Sequence, residues 1–204
     1  MDSDDGVTDP IASALLEGPQ YQRLRARRHS LFKQSIPRKL AWQAAILGAL
    51  ALVLPLAMTL PASTRGLFPG GDPLSSTPKI LLLGAYAGVI EVVAAAGLLY
   101  VGYRRLRTGD SLSEHEARHL LSIEDVSSMI SLVTGAFAVV AVDGFFLLGH
   151  GGEPAVGAFL AAGGGNPFAG TTVPVTVVGV AVPAAVLAAV LFSLSRVLER
   201  RLPP

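Results

Sequence analysis

His115, Glu116 and His119 stand in the order H-E-x-x-H, with Ala117 and Arg118 between them. On a helix, positions four apart share a face. Two imidazoles so placed can hold one Zn²⁺ while the intervening carboxylate deprotonates a metal-bound water. Ser113 and Glu116 also spell S-x-x-E, a capping box, which predicts that a helix begins there. The same carboxylate is thus a candidate for two tasks, catalytic base and helix cap. Without metal, the segment reads as an amphipathic helix whose His and Glu face water.

A carboxylate in the middle of an apolar run is the second candidate. Glu91 lies midway along the stretch 80–101. Placing an ionised carboxylate at that depth costs ~2.5–3.5 kcal/mol on insertion scales. The apolar runs put no Lys, Arg or His near it, so Glu91 is expected to be protonated, hydrogen-bonded to a hydroxyl, or paired with a bound cation. Ser131 and Thr134 on the third run lie at comparable depth and are the candidate partners, with Tyr86 a third. Asp143, near the outer end of that run, sits about 8 Å nearer the outside, where it can serve as a second proton step or simply reach interfacial water. These residues predict a proton- or cation-handling site. The alternative is a neutral Glu that ties two helices together.

The stretch around the H-E-x-x-H resembles the catalytic region of the membrane-embedded heat-shock zinc metalloproteases (the HtpX and CAAX-processing group). In those proteins the motif lies between two pairs of spans and a Glu in an S-R-x-x-E segment follows the last one. Here Ser195-Arg196-Val197-Leu198-Glu199 occupies that place. The resemblance implies zinc held by His115, His119 and Glu199, with Glu116 as base. It covers roughly ninety residues around one short motif. About a dozen residues stand where that family has a substrate-shaping soluble segment, and a metal site without a cleft has nothing to orient a peptide. Arg118 also puts a cation between the would-be ligands.

Four apolar runs must position these groups: 40–60, 80–101, 126–148 and 173–197. Each holds about 20 residues or more, enough at ~1.5 Å per residue to cross a hydrocarbon core of ~30 Å. Of the 16 Lys and Arg, all but Arg65 and Lys79 precede the first run, lie between the second and third, or stand at the end of the fourth. By the positive-inside rule both termini are cytoplasmic, which makes residues 1–39 an acidic then basic cytoplasmic tail and 198–204 a short one. The expected fold is all-α, an integral membrane four-helix bundle in the cell membrane. Its interior is expected to include the small-residue face Gly84, Gly88, Glu91 and Ala95. Pro55 is expected to bend the first span, and the helix begun at Ser113 to run on towards the third. Residues 155–162 are expected to be loop, with an interfacial helix or a re-entrant segment as the alternatives.

Composition narrows the function. The chain is 51% hydrophobic with 15% charged residues, which leaves little for a soluble domain, and it has no Cys, which excludes disulfides and thiolate chemistry. The basic strip before the first span reads as a topology signal that meets anionic headgroups, and no nucleic-acid partner is expected. No phosphate-binding glycine loop stands between a strand and a helix. The leading expectation is a non-enzymatic polytopic membrane protein without a cofactor, an accessory, structural or regulatory subunit or a homo-oligomer in the lipid bilayer. A proton or cation pathway at Glu91 and a zinc peptidase are the alternatives.

Overall fold

A computed structural model describes residues 21, 24, 34–108 and 112–202. The acidic start of the chain, the basic strip at Arg23, Arg25, Arg27, Arg28 and Lys33, and the turn at Gly109–Asp110 lie outside the described residues. Within them the protein is helical, without strands, and four helices are long and apolar enough to cross a membrane.

The first, Ile36–Met58, is interrupted once. Helix α1 (Ile36–Ala51) begins with Pro37 in its first turn, where the missing N–H costs nothing. Pro55 cannot donate to the carbonyl four residues earlier, Ala51. The helix breaks next to that point, with the Leu52 amide tightening onto Ala49 (2.9 Å) before α2 (Val53–Met58) resumes. After a single turn, α3 (Ala62–Arg65), the second span is α4 (Ile80–Thr108). The third continues the helix that the sequence starts at Ser113. Helix α5 (Glu114–Met129) starts at Ser113 and runs without a gap through a π-helical turn, Ile130–Gly135, into α6 (Ala136–His150).

Several boundaries differ from the sequence reading, two of them with a local cause. Residues 155–162, expected as loop, largely belong to a helix, α7 (Gly152–Ala161). Gly152 at φ +73° reverses the chain out of α6, a conformation that costs glycine little, and buried Val156 then anchors the helix. The fourth span, α8 (Val177–Arg201), starts four residues later than expected. The Oγ1 of Thr176 accepts from the Gly179 amide (3.1 Å) and fixes the start.

Helix α8 packs against α1 more extensively than any other pair, and α4 lies against α1, α5 and α6. At one end, called here the basic end, Gly102 lies where a Cβ would touch Ile36 and Leu198. At the far end Phe68, Phe146 and Phe168 form an aromatic cluster with ring centroids 4.6 to 6.4 Å apart. The far-end connections are tied there too, through the Lys79 amide on the Ala169 carbonyl (2.8 Å) and the Thr77 hydroxyl on that of Thr171 (2.8 Å).

Candidate functional site

The inner face of α4 is built from Gly84, Ala87, Glu91, Ala94, Ala95 and Leu98, all buried at successive helical turns. This is the small-residue face that spacing predicts, and it lets neighbouring backbones approach closely. Glu91 is 0% exposed. Its Oε2 accepts a hydrogen bond from the Ser131 hydroxyl at 2.7 Å, while Oε1 has no partner among the described residues.

Room for that carboxylate comes from Gly135. A Cβ there would overlap Glu91 Oε1 and come within 3.1 Å of Cδ. Ser131 and Gly135 both belong to the π-helical turn, so the irregular part of the third span is the part that receives Glu91. Such single π turns inside α-helices recur at functional sites. The structure brings Glu91 to Ser131 and not to the other two candidates. Thr134 is on the outward face of the same turn, and Tyr86 is 54% exposed. Asp143 lies eight residues beyond Gly135 on α6, about 12 Å further towards the far end. Its Oδ1 is buried without a partner among the described residues.

A second polar cluster, at the basic end, has no counterpart in the sequence reading. Lys39 is 1% exposed and its Nζ lies 2.6 Å from Oε1 of Glu124, which is also buried. The Tyr21 hydroxyl donates to the other carboxylate oxygen, and the Arg105 guanidinium lies 4.5 Å over the Tyr21 ring. The signal was present as a file of polar or minimal residues on the third span. Glu124, Ser128, Ser131 and Gly135 recur at intervals of four, three and four, one helix face. One turn along α1 from Lys39 stands Gln43, 1% exposed, with neither amide atom partnered among the described residues.

The H-E-x-x-H segment opens α5. His115 and His119 are exposed on the first turns of α5. The Glu116 carboxylate is taken up by the cap: it accepts from the Ser113 amide (3.0 Å) and hydroxyl (2.7 Å) at Oε2 and from Arg104 (3.2 Å) at Oε1. Arg118 pairs with Glu114 on its own helix. In the S-R-x-x-E segment, Ser195 is buried and donates to the Pro37 carbonyl (2.9 Å), holding α8 to α1, while exposed Glu199 pairs with Arg196 (3.0 Å). No group of three or more His, Asp or Glu that could hold a metal occurs among the described residues.

The peptidase reading expects one zinc ion per chain in clean protein, lost in His115→Ala, and elemental analysis decides it. As at other exposed positions, His115→Ala should leave stability within about 0.5 kcal/mol of wild type.

Comparison of the chain with protein-family models, curated proteins and solved structures finds no match. The functional argument accordingly rests on the geometry of this molecule.

Proposed function

We propose that this is a non-enzymatic, multi-pass protein of the cytoplasmic membrane, with its basic end inside, whose bundle handles protons at Glu91. One observation carries the reading: a carboxylate buried mid-bundle keeps one oxygen unpartnered among the described residues, in a space that Gly135 leaves open. A Glu used only to bind two helices together is best served by having both oxygens satisfied, since an unmet buried acceptor costs ~1–3 kcal/mol. A carboxyl group that takes up and releases a proton needs one oxygen accessible.

Proton chemistry suits the site better than a dehydrated metal cation. Hard cations take six or more oxygen ligands, and the described surroundings of Glu91 offer one hydroxyl, on Ser131. Asp143, further along the third span with a buried free oxygen, is the natural second station. The size of the bundle fits service as a homo-oligomer or as one subunit of a larger membrane complex.

The test is proton flux in proteoliposomes loaded with a pH-sensitive dye. Wild-type protein is expected to dissipate an imposed pH gradient. Glu91→Gln keeps the shape and the Ser131 hydrogen bond but cannot ionise, and should slow dissipation to the rate of protein-free vesicles. Equal rates for wild type and Glu91→Gln would overturn the proposal.

A further inference from the structure

Contacts across the bundle fix the depth of each polar group. An offset of 85 positions relates the start of the chain's helical part to the third span, at Lys39–Glu124 near one end and, just past the first span, at Thr64–Gly149 near the other. Gln43 is therefore level with Ser128. Helix α4 runs the opposite way, with Gly102 beside Ile36 and with Gly84 and Gly88 beside Leu50. The same Gln43 is thus level with Ala94 and Ala95. Near this depth Ala94, Ala95, Ser127 and Ser128 are small or hydroxyl-bearing and all buried.

From the Lys39–Glu124 pair, Gln43 and Ser128 lie one turn inwards, about 6 Å, and Ser131 with Glu91 a further ~4.5 Å. Two hydrogen bonds through one water span about 5.5 Å, so each step matches a single bridging water. Two fully buried groups on this line, the Gln43 amide and Glu91 Oε1, carry unmet hydrogen-bonding atoms among the described residues. Towards the far end the character changes. The next levels hold Leu50, Gly84, Ala87 and Val139, which offer water nothing to bind.

We infer that Gln43, Ser128 and the Lys39–Glu124 pair form a one-sided hydrated half-channel, which connects Glu91 to the aqueous phase at the basic end only. It rests on the reading of Glu91 as a proton site and adds the route. A proton arrives as hydronium past Tyr21, Lys39, Glu124 and Arg105, passes along waters held by Gln43 and Ser128, and reaches the Glu91 carboxyl beside Ser131. The same waters return it to the basic end, while onward transfer towards Asp143, across the apolar levels, is the slow step of the flux. Among the described residues the charged groups facing this route are Lys39, Glu124 and Arg105, and Asp143 stands at the far limit of the apolar levels on the other side.

The test is hydrogen–deuterium exchange of the Glu91 carboxyl, followed by infrared spectroscopy on the full chain in lipid vesicles, with the band assigned by its loss in Glu91→Gln. Gln43→Leu should keep the band but slow its deuterium shift by roughly tenfold or more, the effect of withdrawing ~1.4 kcal/mol of water binding from the route. Gln43→Asn should exchange at close to the wild-type rate. Unaltered exchange in Gln43→Leu overturns the half-channel while leaving Glu91 as the proton site. Absence of the band in wild type overturns both. If Gln43→Leu fails to fold, the lack of native Cys offers a second measurement. Ser128→Cys should bind Ag⁺ stoichiometrically and Val139→Cys should not; equal silver binding by the two, or none by Ser128→Cys, rejects the one-sided route.

Discussion

Replacing Lys39 with Met is expected to destabilise the bundle by about 3–5 kcal/mol, the cost of leaving a buried charge without its partner. Glu124 is almost wholly excluded from solvent, and Lys39 stands 2.6 Å from it. The Tyr21 hydroxyl donates to its second oxygen. Remove the ammonium and the carboxylate keeps one neutral donor in a low-dielectric setting. The double variant Lys39→Met/Glu124→Leu should recover most of the loss, because a buried ion pair exchanged for apolar side chains of similar volume is close to neutral. Reversible unfolding of wild type, both single variants and the double variant in mixed micelles measures the cycle. A single-variant loss below about 1 kcal/mol, the range of solvent-exposed pairs, would mean that water screens the pair. The double variant carries a functional corollary. If the pair is the mouth of the route to Glu91, it should fold yet exchange the Glu91 carboxyl proton more slowly.

That pair also marks the limit of what the sequence makes legible. The four spans follow from run length alone, and the inner face of α4 follows from helical spacing, because both are properties of one continuous segment. Ser131 was within reach for the same reason, as a hydroxyl at the right depth. What failed was the choice between Ser131 and Thr134, three residues apart on the third span. The file Glu124, Ser128, Ser131 and Gly135 favours Ser131, but the two were matched to Glu91 by depth and not by the face on which each lies. Lys39 was grouped with the basic strip because its pairing depends on an offset of 85 positions that only the packed bundle establishes. The helix at Gly152–Ala161 was hidden by its glycines and its length of ten residues, too short to announce itself by periodicity. Glu116 shows the opposite case. Two motifs competed for one carboxylate, and the local one, the capping box, holds it in the structure.

Gly135→Ala should destabilise the protein by about 1–3 kcal/mol, although the same change at an ordinary helical position stabilises by ~0.5–1 kcal/mol. The sign is the diagnostic. A methyl group at Gly135 would overlap Oε1 of Glu91 and crowd its Cδ. The carboxylate can yield only by leaving Ser131, the one hydroxyl that meets it. If that collision is the cause, shortening its partner must reverse the effect. In a Glu91→Ala background, Gly135→Ala should become neutral or stabilising, since the new methyl enters space that the carboxylate has vacated. The coupling between the two sites, measured by the same unfolding cycle, should lie at the upper end of the 0.5–3 kcal/mol typical of residues in contact. A Gly135→Ala penalty that persists unchanged without Glu91 would place the strain in the π turn itself. In that case the open space beside Glu91 would be a consequence of the helix geometry, and the case for a carboxyl group kept accessible to protons would lose its main support.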